Sequence, residues 1–431
     1  MPSVALYTLG CKVSQYETEA VAERFEERGF TIVSHTEPAD IYVINTCTVT
    51  AESDRKSRQV IRRMRAKNPE AVVAVMGCYS QRAPGEVAAV GADIVVGTEN
   101  KMSVVDMAIG MFCGDKRGVI STTDLEGACF EPMTIKRAPR TRAYVKIEDG
   151  CESKCTYCAI SGARGPVRSK PRCEVISEVK ALTASGVREI VLTGIETASY
   201  GRDFDTGYDL ADLILELDEL GIAERIRLGS LAPELIGESF ARKVSGAKSL
   251  TPHFHLSMQS GSDSVLRGMK RRYNRKMALD NVAMLKKYIP GVRFTTDLMV
   301  GFPGESEEDF LDTVSLVREV GFINCHVFAY SRRDGTPAAL YDGQIPEAIK
   351  KKRSAELIRV AHATRDAVLE ELVRAGKPLS CILETYSDGA YTAHSDEFAE
   401  VLIPAEQGRE GDLVLALPIS HKDGIVTAEL I

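Results

Sequence analysis

The sequence CESKCTYC at residues 151–158 places three thiols within eight residues, directly after a candidate strand at 143–147. Three thiolates at this spacing can ligate three irons of a four-iron cluster. The stretch holds no fourth cysteine, so one iron would remain open to another ligand. A structural zinc ion normally takes four ligands, which makes zinc the weaker alternative. We refer to Cys151, Cys155 and Cys158 as the loop cysteines.

Downstream of the loop cysteines, predicted strands alternate with predicted helices, which favours a parallel sheet. After the strand at 143–147, further strands are expected at 189–192, 226–228, 253–257, 292–299 and 323–328. Predicted helices separate them at 174–185, 209–220, 275–288 and 306–320. About six βα units predict a full or partial parallel barrel, whose active site lies at the carboxyl ends of its strands. The loop cysteines follow the first of these strands.

Upstream of the loop, a second strand–helix series predicts a doubly wound parallel sheet. Its strands are expected at 4–8, 41–45, 71–76 and 93–96, and its helices at 17–28 and 53–67. Three cysteines follow three of these strands, in the contexts TLGCK, NTCT and MGCY: Cys11, Cys47 and Cys78. Open α/β sheets bind ligands at this edge. A free cysteine is often only a small buried hydrophobe, but three at one edge favour a second metal cluster. We call them the strand-end cysteines.

The C-terminal segment differs from the rest in pattern and in charge. Short alternating strands are expected at 380–385, 399–403, 413–417 and 425–430, which predicts a small β-barrel. The segment from 376 to 431 carries three Lys or Arg and ten Asp or Glu, so it accounts for the whole net charge of −7. The remaining chain carries as many basic as acidic residues.

Basic residues cluster within that balanced part, where they would suit nucleic-acid phosphates or form solvated helix faces. The three runs are Arg55, Lys56, Arg58, Arg62, Arg63, Arg65 and Lys67; Lys136, Arg137, Arg140 and Arg142; and Arg267, Lys270, Arg271, Arg272, Arg275 and Lys276. The N-terminus lacks a secretory signal, and no apolar run is long enough for a membrane span. We therefore expect a cytoplasmic protein without a membrane partner, whose cysteines serve metal chemistry rather than disulfides.

The loop cysteines resemble the CxxxCxxC loop of radical S-adenosylmethionine enzymes. With the strand-end cysteines and the small β-barrel, the whole chain resembles the methylthiotransferase family. That resemblance implies two 4Fe-4S clusters, an auxiliary one on the strand-end cysteines and a radical-generating one on the loop cysteines. It implies four segments: an N-terminal domain at 1–113, a linker at 114–136, a radical S-adenosylmethionine core at 137–367 and a TRAM-like barrel at 370–431.

The same resemblance implies contacts to S-adenosylmethionine, although each residue has a turn or core role as its alternative. Tyr157 would pack on the adenine. The other candidates lie in LTGIE after the second barrel strand, in HLSMQSGS after the fourth and in DLMVGFPGE after the fifth: Thr193, Gly194, Glu196, Gln259, Ser260, Gly301 and Gly304.

Three further motifs, TLGCKV at 8–13, NTCTVT at 45–50 and DRKSRQ at 54–59, resemble the tRNA enzyme that modifies N6-threonylcarbamoyladenosine at position 37. Ser14 departs from the Asn usual there. The implied partners are tRNA and an electron donor such as a flavodoxin or ferredoxin. The acidic barrel favours one alternative, a methylthiotransferase acting on a ribosomal-protein aspartate. The other alternative is a non-catalytic iron–sulfur RNA-binding protein, against which two three-cysteine sets argue.

Overall fold

The computed structural model describes residues 1–115, 118–138, 141–404 and 407–431, so Arg140 of the second basic run lies outside the described residues. The described chain divides into two compact units. The first comprises Met1–Lys136, Lys146–Pro171 and Ser331–Ala339. The second comprises Arg137–Val145, Arg172–Tyr330 and Leu340–Ile431.

The first unit is built on a six-stranded parallel sheet in the order β2-β1-β3-β4-β5-β6. Its strands are β1 Ser3–Thr8, β2 Thr31–Val33, β3 Ile41–Thr46, β4 Val72–Gly77, β5 Ile94–Val96 and β6 Val119–Ser121. Its helices are α1 Lys12–Glu27, α2 Ala51–Lys67, α3 Cys78–Arg82, α4 Pro84–Ala89 and α5 Ser103–Phe112. Apolar clusters cover both faces of the sheet, so the central strands β3 and β4 are buried along their whole length. The predicted doubly wound sheet is confirmed, with two short edge strands, β2 and β6, that the sequence did not predict.

The first unit also contains the loop cysteines, within a tightly turned segment. This segment holds helix α6, Ile160–Arg164, and two short antiparallel strands, β8 Glu148–Asp149 and β9 Arg168–Ser169. Gly150 allows the two strands to approach, since a Cβ there would lie 1.8 Å from the carbonyl oxygen of Pro166.

The second unit contains the partial βα barrel, as two sheets in the orders β7-β10-β11 and β12-β13-β14-β15. Its strands are β7 Arg142–Lys146, β10 Glu189–Thr193, β11 Arg225–Leu228, β12 Ser230–Leu231, β13 His253–Gln259, β14 Arg293–Val300 and β15 Asn324–Ala329. Its helices are α7 Arg172–Ala184, α8 Leu210–Glu219, α9 Glu238–Val244, α10 Asp263–Gly268, α11 Arg275–Tyr288, α12 Glu307–Val320 and α13 Glu347–Ala375. All six predicted barrel strands are present. Helices α9 and α10 and strand β12 were not predicted.

The chain ends in a closed five-stranded barrel in the order β16-β17-β18-β20-β19. Its strands are β16 Leu379–Ser387, β17 Ala390–Ser395, β18 Glu400–Pro404, β19 Leu413–Lys422 and β20 Ile425–Leu430. Alternate side chains fill its apolar interior, together with the end of α13. The predicted small β-barrel is therefore confirmed, with one further strand, β17, that was not predicted.

Candidate metal centre

The strand-end cysteines meet at one edge of the first unit's sheet. Strands β1, β3 and β4 are neighbours, and each leads directly into one of the three cysteines. A Cβ on Gly10 would lie 3.4 Å from the Cβ of Cys47. Burial raises the pKa of Cys47 to about 11, and the nearby Cys78 and Cys11 thiolates add to the rise by repulsion. The structure thus brings these three thiols together, as the strand pattern predicted.

The loop cysteines also lie near one another in the first unit. Burial raises the pKa of Cys158 to about 11, and the Cys155 and Cys151 thiolates raise it further. The backbone N–H of Ile160 donates to the Cys158 sulfur at 3.3 Å and partly offsets this rise. Three soft thiols per set suit iron–sulfur ligation, where each thiolate binds a different iron. Within the described part of the chain, no three potential ligands converge closely enough to hold a single metal ion.

A buried ionic network adjoins the strand-end cysteines. Its carboxylates are Glu17 and Asp149, and its cations are Lys101, Lys146 and Arg164. Glu17 Oε1 lies 2.6 Å from Arg164 Nη1 and 3.0 Å from Lys146 Nζ. Burial opposes ionisation of Glu17, but Arg164, Lys101 and Lys146 together hold its pKa well below the ordinary value. Both carboxylates are therefore charged at neutral pH, since the pKa of Asp149 is lowered in the same way.

Arg164 links this network directly to a candidate iron ligand. Its Nε donates to the Cys78 sulfur at 3.1 Å. Burial raises the pKa of the Cys78 thiol, and the Arg164 charge opposes that rise. Arg164 was not predicted as a site residue, although its place in the sequence GARG at 162–165, six residues after Cys158, was a signal that could have marked it.

Among the residues expected to contact S-adenosylmethionine, Glu196 is the one whose pKa is clearly shifted. It lies in the second unit after β10, is almost fully buried and accepts a hydrogen bond from the N–H of Ala232 at 2.9 Å. Burial raises its pKa to about 7. Thr193, the last residue of β10, is also buried, and Gly194 follows it. A buried glutamate of this kind would gain from pairing with a ligand's ammonium group.

The other candidates in the second unit surround the ends of β13 and β14. Gln259 is buried with φ +62°, and its Oε1 has no hydrogen-bond partner among the described residues. Ser260 Oγ lies 3.2 Å from Thr313 Oγ1. Gly301 and Gly304 both have positive φ, and a Cβ on Gly301 would meet the Lys350 side chain at 2.4 Å. The unpartnered amide oxygen of Gln259 and the buried carboxylate of Glu196 fit a polar ligand. Tyr157 belongs to the first unit and is half-buried.

A row of polar side chains on the inner strands of the partial barrel was not predicted residue by residue. Asp297 on β14 lies 3.3 Å from both His255 Nε2 and His326 Nδ1. Burial opposes ionisation of Asp297, but these two hydrogen-bonded histidines lower its pKa. The signal for such a row was the sequence HFHLSMQ, in which polar residues, two of them histidines, alternate with Phe254, Leu256 and Met258 along one strand.

The first basic run forms part of helix α2. Arg55 is exposed but paired with Glu52, whereas Lys56, Arg62 and Arg63 are the other exposed cations of the run, and we call these three the basic face of α2. Arg65 is different, because its guanidinium is paired with Asp93 and donates to the backbone oxygens of Ala71 and Gly91. Arg65 therefore stabilises the first unit, and the exposed positive charge of α2 lies on the basic face.

In the described ranges, no helix combines the length and apolar character needed to span a bilayer.

Two family models match the chain. A model described as uncharacterized protein family UPF0004 matches residues 3–97, and a model of the Radical SAM superfamily matches residues 145–317.

Several curated proteins resemble the chain over most of its length. The threonylcarbamoyladenosine tRNA methylthiotransferase MtaB of Bacillus subtilis (strain 168) is 38% identical, over 96% of this chain and 93% of its own. The enzyme of the same name from Thermotoga maritima is 37% identical, over 82% of this chain and 80% of its own. The tRNA-2-methylthio-N(6)-dimethylallyladenosine synthase of Desulfitobacterium hafniense (strain Y51) is 33% identical, over 96% and 94%.

Solved structures add a likeness in fold. TsrM from Kitasatospora setae, a radical S-adenosylmethionine methyltransferase with cobalamin and a 4Fe-4S cluster bound, matches with a TM-score of 0.58. The match covers 79% of this chain and 77% of that chain at 15% sequence identity, so it concerns the fold alone.

Proposed function

The chain belongs to the radical S-adenosylmethionine methylthiotransferase family, and we propose that it converts N6-threonylcarbamoyladenosine at position 37 of tRNA to its 2-methylthio derivative. It is an enzyme that transfers methylthio groups, it acts on tRNA, and its chemistry uses a 4Fe-4S cluster with S-adenosylmethionine. The choice of nucleoside is carried by the 38% identity, over 96% of the chain, to the threonylcarbamoyladenosine enzyme of Bacillus subtilis.

We propose that the loop cysteines hold the radical-generating cluster and that the strand-end cysteines hold a second, auxiliary 4Fe-4S cluster. When bound, the first supplies the electron that cleaves S-adenosylmethionine, and the second supplies an open iron at which sulfur is presented. Carbon 2 of adenine is neither acidic nor nucleophilic, so radical chemistry suits the insertion of sulfur there. The meeting of each cysteine set in space supports this division of roles.

The protein's own part is to bind and orient the cofactor. We propose that the Glu196 carboxylate pairs with the ammonium of S-adenosylmethionine, and that the unpartnered Oε1 of Gln259 accepts a second polar contact. Gly301 and Gly304 would let the backbone approach the ligand, and Tyr157 would pack on its adenine. Thr193, Gly194 and Ser260 complete the proposed set.

Further parts of the proposal concern organisation and partners. We propose domain boundaries at 1–113, 137–367 and 370–431, with a linker at 114–136. We also propose that a flavodoxin or ferredoxin donates electrons and that the enzyme works in the cytoplasm, where tRNA is modified. The basic face of α2 supports the RNA substrate, because exposed cations suit phosphates.

The deciding experiment offers the anaerobically reconstituted enzyme three substrates side by side. These are a tRNA carrying threonylcarbamoyladenosine, a tRNA carrying dimethylallyladenosine and the basic ribosomal protein. We expect nucleoside mass analysis to find a methylthio group only on the first. Methylthiolation of the ribosomal protein with both tRNAs untouched would overturn the RNA assignment. Modification of the second tRNA alone would overturn the choice of nucleoside.

A further inference from the structure

Arg164 lies where a hydrogen-bond donor can act on a candidate ligand of the auxiliary cluster. It ends helix α6, which follows the loop cysteines, and its side chain is fully buried. Its Nε–H points at the Cys78 sulfur at 3.1 Å. A guanidinium has no second protonation state near neutral pH, so this donor is permanent.

Two carboxylates fix the orientation of that guanidinium. Glu17 accepts from Arg164 Nη1 at 2.6 Å and from Nη2 at 3.3 Å, and Asp149 lies 3.0 Å from Nη1. Lys101 and Lys146 in turn hold Glu17, at 3.2 and 3.0 Å. Because both Nη groups are held by carboxylates, the side chain keeps Nε directed at the thiol.

The network is close to neutral without the thiol. Glu131 lies 3.6 Å from Lys101, and Glu99 lies 3.8 Å from Arg168. These two further carboxylates balance the positive charge that Glu17 and Asp149 leave over. Arg164 therefore acts on Cys78 at short range, through both its charge and its directed N–H, rather than as part of a general surplus of positive charge. Reduction potentials of iron–sulfur clusters depend on such hydrogen bonds to the ligand sulfurs.

We propose that Arg164 is a positioning residue that donates a charge-assisted hydrogen bond to the Cys78 thiolate in the auxiliary cluster and thereby raises that cluster's reduction potential. This inference rests on the proposed auxiliary cluster. A reduced cluster carries more negative charge than an oxidised one, so the hydrogen bond stabilises the reduced form more strongly. Glu17 and Asp149 serve the same end by holding the guanidinium in place.

The first test uses the full-length protein with the loop cysteines changed to Ala, so that the auxiliary cluster is the cluster observed. The protein is labelled with 15N-arginine, reconstituted anaerobically and reduced, and pulsed electron paramagnetic resonance detects nitrogen coupled to the cluster spin. We expect a 15N coupling that disappears in Arg164→Lys. A normal cluster signal without any 15N coupling would overturn the proposal, and this outcome needs no substitution of Arg164.

The second test measures midpoint potentials in the same background. We expect Arg164→Gln to shift the balance towards the oxidised cluster about tenfold, which is ~59 mV for one electron. Arg164→Lys, which keeps the charge, should shift it less. The matched control is Arg168→Gln, since Arg168 is buried 3.8 Å from Asp149 of the same network but donates to the backbone oxygens of Arg164 and Pro166. We expect Arg168→Gln to shift the potential clearly less than Arg164→Gln does, because it removes a neighbouring charge but leaves the Arg164 hydrogen bond to the sulfur in place.

The outcomes separate this inference from the proposed function. If the protein lacking the loop cysteines binds no iron, the auxiliary cluster itself is refuted. If it binds a cluster whose potential responds equally to Arg164→Gln and Arg168→Gln, the auxiliary cluster stands and the role of Arg164 is refuted. Should Arg164→Gln lose its iron, Glu17→Gln provides the variant for comparison, because it loosens the guanidinium and leaves the donor in place.

Discussion

The buried carboxyl of Glu196 leads to a prediction in which stability and cofactor binding change in opposite directions. Burial raises its pKa from the ordinary 4.5 to about 7, against the opposing hydrogen bond from Ala232. At 1.36 kcal/mol for each pKa unit, ionising Glu196 in the folded protein without ligand costs ~3 kcal/mol. Glu196→Gln removes that cost and keeps an oxygen that accepts the hydrogen bond from Ala232.

Proton linkage determines how the stability of the two proteins changes with pH. A raised pKa in the folded state contributes stability that is present below pH 4.5 and is lost as the pH rises through about 7. Glu196→Gln should therefore be more stable than wild type at pH 8.5, by up to ~3 kcal/mol, and the two should converge towards acid pH. The measurement is the difference in Tm between the two unloaded proteins across pH 5.5 to 8.5.

A matched control comes from the other end of the same strand. Glu189, the first residue of β10, is buried too, but Arg227, Arg142 and Arg225 overcome the burial and lower its pKa to about 2. Glu189→Gln should therefore destabilise the protein throughout the neutral range by about 3–5 kcal/mol, because it leaves buried arginines without their carboxylate. Two variants with the same chemical change should thus shift Tm in opposite directions at pH 8.5.

Glu196→Gln should also weaken binding of S-adenosylmethionine. Losing a charge-assisted contact of ~1.5–3 kcal/mol corresponds to about a 10- to 100-fold higher Kd, measured by calorimetry on the cluster-loaded enzyme. Wild-type affinity should also fall as the pH drops below about 7, since Glu196 must lose its proton to pair with the ammonium. Parallel Tm curves for wild type and Glu196→Gln, or an unchanged Kd, would refute this account of Glu196.

Three other predictions concern the clusters and the RNA. Reconstituted enzyme should bind about eight irons per chain, and changing the loop cysteines to Ala should remove about half, since each 4Fe-4S cluster holds four; saturation of wild type at four irons would contradict this. The variant with the strand-end cysteines changed to Ala should still cleave S-adenosylmethionine when reduced but form no methylthio product; retained thiolation would make those cysteines structural. Changing the basic face of α2 to Glu should lower tRNA affinity, reduce its salt dependence and spare cofactor cleavage. The control Arg65→Glu should mainly lower Tm, because it breaks the pair with Asp93. Equal tRNA affinity in wild type and the basic-face variant would exclude that face from the interface.

The sequence predicted the parts of the site that depend on strand order. Parallel strands place their carboxyl ends at one edge, so cysteines after β1, β3 and β4 had to lie close together once those strands were neighbours. The partial barrel followed from its repeated strand–helix pattern in the same way. The edge strands β2 and β6 were missed, because they are short and partly exposed, whereas the equally short β5 is wholly buried and apolar.

The residues that tune the site could not be found from sequence spacing. Arg164 meets Glu17 across 147 residues of sequence and Asp149 across 15, and no periodicity links positions so unevenly separated. The positive φ of Gln259 was equally hidden, since glutamine gives no sign of a left-handed backbone. Arg65 appeared equivalent to its neighbours on α2 until the fold placed Asp93 beside it.

The acidic C-terminal barrel, which was the main argument for a basic protein substrate, has a structural use within its own unit. Glu384 pairs with Arg142, and Asp412 lies 4.0 Å from Arg188. Arg227 donates to the backbone oxygens of Ser395 and Asp396, at 3.1 Å each. Two of the barrel's acidic side chains thus lie against arginines of the partial barrel, where they help to secure the packing of the two. The net charge of the segment therefore overstates its repulsion of RNA, because the carboxylates paired inside the unit neither repel RNA nor attract a basic protein.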